Sequence, residues 1–221
     1  IVDLPYFEWD GARVTSVTRP VIAETPWVLY VNGREIVTFM CSPVRLHCLA
    51  LGFLLSEGFI TSLADVWQIK VFLDEHRVHM LFPQAGLDEE LHMATCEDAG
   101  GSIVVQLTQP APDLPERRVL TSGCGGGVTF DDLSADRPRL QSDMRISAPR
   151  LANLMRELNY QARLYRTSRG VHTSALSDGE RLLVLAEDVG RHNTLDKLRG
   201  VSLFLIFYFV YAHLKTTRAA R

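Results

Sequence analysis

Residues 121–127 read Thr-Ser-Gly-Cys-Gly-Gly-Gly, and Cys124 is the sharpest candidate for chemistry in the chain. One glycine precedes it and three follow, which strips side-chain bulk from around the sulfur. Backbone can then approach a ligand closely, and successive N–H groups can converge on an anion. Such a setting favours thiolate over thiol, and the thiolate is the form that attacks or carries sulfur. A glycine turn holding an incidental small hydrophobe fits the local pattern as well. Three other chemistries do not fit. A phosphatase loop needs Arg six positions on, where Phe130 stands. A zinc site or thioredoxin-type pair needs a close second cysteine, and Gly127 occupies that place. No papain-type signature surrounds the cysteine. Cys41 and Cys48 lie on either side of His47, but six intervening residues do not match a metal knuckle, so core packing is expected for both.

The second cluster runs from Ala186 to Lys197: Ala-Glu-Asp-Val-Gly-Arg-His-Asn-Thr-Leu-Asp-Lys. At a strand-to-helix junction such groups would sit where open α/β sheets place ligands. Arg191, His192 and Lys197 are suited to phosphate, and Asp188 to accepting from a base or ribose. A charge run of this kind is also what a solvated helix face looks like; the preceding apolar strand and Gly190 favour the functional reading. A third segment, Ser168-Arg169-Gly170-Val171-His172, is a turn leading into a strand. A single His is more often structural than catalytic, but a hairpin would bring His172 close to Glu187 and Asp188.

The elements that must position these groups follow from period and punctuation. Residues 27–31 and 35–40 flank Asn32-Gly33, a strong hairpin signal because both residues tolerate positive φ. Residues 45–60 change to helical spacing through Leu46, Ala50, Phe53 and Leu54, with Gly58 at the expected C-terminal cap. Residues 66–82 read as two strands around Asp74-Glu75, and 102–108 as another. Pro110, Pro112 and Pro115 mark a linker, so a boundary is expected near 110–118. Residues 148–160 predict a helix with Leu151, Leu154, Met155 and Leu158 on one face. Residues 171–177 and 181–186 predict a hairpin around Asp178-Gly179. A second helix is expected just after Glu187-Asp188, whose carboxylates suit a helix N-terminus. The resulting division is an amino-terminal α+β domain over 1–118, a cysteine/glycine loop and linker over 119–147, and a second domain over 148–221.

Composition narrows the classes. With 221 residues, 47% of them apolar, the chain can bury a good core. A net charge of −3 argues against a general nucleic-acid or anionic-membrane binder. Four scattered cysteines are too few for a disulfide scaffold, which predicts reduced thiols and a cytoplasmic location. No signal peptide opens the chain, and Ile1 in first place suggests that a true start lies upstream. Residues 201–212 are almost wholly apolar and 213–221 basic. Twelve apolar residues fall short of a membrane span, so a buried strand or helix is expected.

Taken together, these segments resemble the FdhD family, the sulfurtransferase accessory proteins of molybdenum-dependent formate dehydrogenases. The resemblance rests on residues 121–127, on Gly-Val-His at 170–172 and on the stretch from Glu187 to Lys197. It rests also on Glu24-Thr25-Pro26, Val31-Asn32-Gly33 and the run from Leu49 to Gly58. It implies a two-domain α/β protein: an α+β amino-terminal domain and a cytidine-deaminase-like three-layer domain, incomplete here. The deaminase zinc signature is absent, so neither deamination nor a metal site is expected. The resemblance implies that sulfur arrives as a persulfide from a cysteine desulfurase and passes to bis-molybdopterin guanine dinucleotide, bound as substrate, for the formate dehydrogenase catalytic subunit. Cys124 would carry the persulfide, with Gly125 and Gly126 supplying N–H groups. His172, Asp188, Arg191, His192 and Lys197 would line the cofactor cleft. A homodimer is left open, and no nucleic-acid or membrane partner is expected. Many members carry Cys-x-x-Cys where this chain has Gly127, and residues 201–221 look unlike the family. A cofactor-binding chaperone without sulfur transfer, or an inactive truncated product, are the competing readings.

Overall fold

The structure, a computed structural model, describes residues 1–73, 78–82, 100–110, 118–120 and 141–219, the backbone alone for 78–82, 118–120 and 207–219. The chain begins with a separate antiparallel hairpin, β1 (Val2–Trp9) and β2 (Val14–Val21). Next come β3 (Thr25–Val31) and β4 (Arg34–Cys41), joined through Asn32 and Gly33 at φ 49° and 81°. Both residues of that turn are left-handed, as the Asn-Gly pair predicts. Helix α1 (Leu46–Ser56) follows and stops at Glu57, with Gly58 at φ 76° supplying the left-handed step that ends it.

Strands β5 (Val66–Phe72), β6 (Val78–Phe82), β7 (Gly101–Leu107) and β8 (Arg118–Leu120) complete a six-stranded sheet in the order β6-β5-β7-β3-β4-β8. β3–β7 and β4–β8 are parallel; the other pairs are antiparallel. β8 carries the first sheet to Leu120, two residues past the expected 118 boundary. The sheet and α1 enclose the main core, where Trp27, Leu29, Phe39, Leu49, Phe53, Leu54, Ile69 and Ile103 are fully or almost fully buried. Each such side chain contributes roughly 1.5–3 kcal/mol relative to exposure. The expected Cys41 and Cys48 packing is what the structure has: both thiols are free and buried.

The second half holds α2 (Ala148–Gln161), α3 (Arg163–Ser168), the hairpin β9 (His172–Ser177) and β10 (Leu182–Asp188), and α4 (Arg191–Ala219). Ser147 caps α2 by accepting from Arg150 N, and Pro149 sits in its first turn. On the apolar face of α2, Leu154 is buried while Leu151 and Met155 are half exposed. α4 joins the two halves. Its Leu203 belongs to the main core, and Leu198 and Val201 pack with Cys48, Val184 and Ala186. The crossing with α1 is close because glycines meet there: a methyl group on Gly52 would overlap the Asp196 carbonyl, and one on Gly200 the Cys48 carbonyl. The apolar segment that begins at Val201 therefore continues one helix, in accord with the expectation of a buried helix or strand for its first turn, where Val201 and Leu203 are buried. Among the described residues no helix is long and apolar enough to cross a membrane.

Candidate functional site

β10 and α4 meet at Asp188–Arg191, and the alternation of β10 divides the polar cluster between two faces. Glu187 points to one side. Its carboxylate accepts from Leu164 N at 3.0 Å, Tyr165 N at 2.8 Å and Thr173 Oγ1 at 3.3 Å. It therefore caps α3, the helix before it in sequence, rather than α4 as expected. Asp188 points to the other side and is wholly buried. Its Oδ1 accepts from Gly190 N and from Asn193 Nδ2, both at 2.8 Å; its Oδ2 accepts from Ser42 N at 3.1 Å and pairs with Lys197 Nζ at 2.5 Å.

Lys197 is equally sealed. Its ammonium also donates to Ser42 O at 3.1 Å and Glu187 O at 3.4 Å. With exposures of 0% and 1%, Asp188 and Lys197 face each other and not a ligand. This corrects the expectation that they contact ribose and phosphate: the ion pair satisfies both charges inside the protein, as a buried pair must. The pair holds the turn from inside. A Cβ at Gly190 would come within 2.7 Å of Asn193 Nδ2, so a larger residue there would push the Asn193 amide off its place beside Asp188.

What remains accessible is Arg191, His192 and His172. All three are exposed, and their side chains make no hydrogen bond or ion pair with the described residues. His172 stands opposite Asp188 in the β9–β10 register, so the hairpin does bring the third predicted segment to the second. Arg191 and His192 occupy the first turn of α4. A cation there opposes the helix macrodipole, a cost of a few tenths to about 1 kcal/mol that a bound anion reverses.

Sequence reasoning missed Ser42 and Arg45. Ser42 Oγ accepts from Val189 N at 3.1 Å, and Arg45 Nη1 donates to Leu185 O at 2.8 Å. Both come from the chain just after β4 and clamp the second half onto the first sheet. A serine before a proline carries no local signal of a partner 147 residues away.

Cys124, Gly125 and Gly126 lie outside the described residues, as does Cys96. The strand leading to them does not. β8 runs parallel to β4, with Leu120 opposite Phe39, so both strands point toward the end where Ser42 receives Asp188. Three residues separate Leu120 from Cys124, and four Cα–Cα steps of fully extended chain cover at most ~14 Å. The two described thiols, Cys41 and Cys48, are unsuited to sulfur chemistry. Burial pushes Cys48 up to about 12, and burial followed by the nearby Asp188 charge pushes Cys41 higher still. No group of three or more His, Cys, Asp and Glu side chains among the described residues is arranged to hold a metal.

The model of the FdhD/NarQ family matches residues 22–205. The chain belongs to the FdhD/NarQ family. FdhD relatives described as sulfur carrier proteins include one from Shouchella clausii (strain KSM-K16), 32% identical over 202 residues, and one from Staphylococcus aureus (strain MRSA252), 28% identical over 201. These matches take in 88% and 89% of this chain but 66% of each relative, slightly under two thirds. A crystal structure from Desulfotalea psychrophila, assigned as a formate dehydrogenase accessory protein, superposes with a TM-score of 0.61 at 22% identity, covering 92% of this chain and 69% of that one. That likeness bears on the fold, a mixed α/β arrangement of sheets and helices. The FdhD match runs five residues past Gly200, the point where resemblance to the family was expected to end.

Proposed function

We propose that this protein is a sulfur carrier for formate dehydrogenase, taking persulfide sulfur from a cysteine desulfurase and delivering it to bis-molybdopterin guanine dinucleotide. Cys124 is the carrier. Its thiolate attacks the outer sulfur of the desulfurase persulfide, forming one S–S bond as another breaks. The desulfurase leaves as a thiolate, and the proton stays with the new Cys124 persulfide. One thiol suffices for each such exchange, so Gly127 in place of a second cysteine does not block it. On delivery of the outer sulfur to the cofactor, Cys124 returns as a thiolate.

The observation that supports this reading is the parallel pairing of β8 with β4, so that this last described strand before Cys124 points to the end of the sheet where Arg191, His192 and His172 stand exposed. Arg191 and His192, two basic groups at the positive end of α4, would hold the cofactor's phosphates, and His172 would line the same cleft. Asp188 and Lys197 contribute by holding that turn still. The second half is read as the cytidine-deaminase-like unit of the family, with its two-stranded ribbon between α4 and the α2–α3 segment.

Incubation with cysteine and a cysteine desulfurase should add the mass of one sulfur atom to Cys124 and none to Cys124→Ala. A Cys124→Ala protein that still activates formate dehydrogenase would instead support a cofactor-binding chaperone, the reading that Gly127 favours because no resolving thiol follows.

A further inference from the structure

The turn that presents Arg191 and His192 is held by the end of β4 as much as by its own elements. Ser42 grips it three ways: Oγ accepts from Val189 N, the main-chain N–H donates to Asp188 Oδ2, and the main-chain carbonyl accepts from Lys197 Nζ, each at 3.1 Å. Two residues earlier, Met40 O accepts from Asn193 Nδ2 at 3.0 Å. Ser42 is fully buried, so water cannot substitute for these partners. Pro43 restricts Ser42 to extended backbone, which aims its N–H and C=O before the turn arrives. The carbonyl also accepts from Val44 N at 2.7 Å, so both of its lone pairs are used.

We propose that Ser42 is a positioning residue that sets the Arg191–His192 turn against the end of β4. The proposal rests on the sulfur-carrier reading for its purpose, because in that reading the turn holds the cofactor's phosphates. Its mechanical part stands on the hydrogen bonds alone. Replacing Ser42 by Ala removes Oγ and leaves both main-chain bonds, so the fold survives. Val189 N loses its buried acceptor, and the turn gains freedom at the residue between Asp188 and Gly190. Thr keeps the acceptor and adds one methyl group.

The test uses the full chain and guanosine diphosphate, which reproduces the guanosine and pyrophosphate end of the cofactor. Ser42→Ala should weaken guanosine diphosphate binding by about tenfold, the scale of one hydrogen bond lost from a half-buried donor, while desulfurase loading of Cys124 stays within about twofold of the parent. Ser42→Thr should restore binding. In an Arg191→Gln background the same Ser42→Ala change should cost no further affinity, because the hydroxyl acts through that side chain. Val71→Ala in β5, chosen to lower the thermal midpoint as far, should leave binding unchanged.

Equal affinity in Ser42→Ala and the parent overturns the proposal. So does equal weakening by Val71→Ala, full additivity with Arg191→Gln, or a parent that takes sulfur but binds no guanosine diphosphate. A parent that binds the nucleotide, with the expected Ser42 pattern, yet takes no sulfur refutes the carrier reading and leaves the positioning role standing.

Discussion

Asp196→Asn should stabilise the protein above neutral pH and do little below about pH 4. Asp196 lies on α4 against α1, its side chain 14% exposed. Burial raises its carboxyl from 3.8 to about 6, against the lowering effects of Ser56 Oγ at 2.8 Å and Arg199 Nη1 at 3.5 Å. Because the folded value lies above the unfolded one, folding takes up a proton between about pH 4 and 6. The carboxyl's contribution to stability therefore falls as pH rises through that window and stays low above it. A shift of about two units corresponds to roughly 3 kcal/mol. The amide carries no charge to desolvate, and the shift already includes the attraction of Arg199. The expectation is a gain of about 3 kcal/mol near pH 8 and less than about 0.5 near pH 3.5. Urea unfolding followed by tryptophan fluorescence at both pH values measures the difference, with the buried Trp27 as reporter. A variant less stable than the parent near pH 8, or shifted equally at both pH values, would show that the carboxylate is not penalised by burial.

Other substitutions probe the same junction. Asp188→Asn leaves the Lys197 ammonium buried without its counter-charge and should cost about 3–5 kcal/mol in urea unfolding, with much of the loss recovered by adding Lys197→Met; no recovery would argue against the ion pair. Gly200→Ala puts a methyl group into the Cys48 carbonyl and must move α4 away from α1, so the thermal midpoint should fall by the equivalent of about 2–3 kcal/mol, whereas an unchanged midpoint would deny the close crossing. Iodoacetamide at neutral pH should spare Cys41 and Cys48 in the native protein, since burial holds both as thiols, and peptide mapping should find the label on Cys124. Rapid native labelling at either buried thiol would contradict the packing.

The elements that sequence reasoning found are those whose signals are local. Asn32-Gly33 works because the turn needs two left-handed residues and these two supply them. Gly58 works for the same reason at the end of α1. Elements held from a distance were unreadable. α3 has six residues, too short to announce itself by periodicity, and its N-terminus is satisfied by Glu187 from more than 20 residues away. β1 and β2 are exposed along nearly their whole length, so no alternation of apolar and polar residues marks them. α4 was read in two pieces because its composition changes near Gly200. The helix stays continuous because its first turns meet the polar network and its later ones meet α1 and the apolar cores.

The polar cluster shows why residue types alone overstate a binding site. Of the groups packed into 187–197, Glu187 caps a neighbouring helix, Asp188 and Lys197 neutralise each other, Asn193 bridges Asp188 to Met40, Thr194 meets Ser174 at 2.6 Å, and Asp196 packs against Ser56. Each of these bonds has a partner remote in sequence or on another element, so nothing within the stretch separates scaffold from ligand contact. Burial makes that separation. A sealed charge must find its partner inside the protein, and those that do are spent on shape. Arg191 and His192, exposed in the first turn of α4, make no hydrogen bond or ion pair with the described residues. The buried groups around them, with Ser42 from outside the cluster, hold the turn that presents these two side chains.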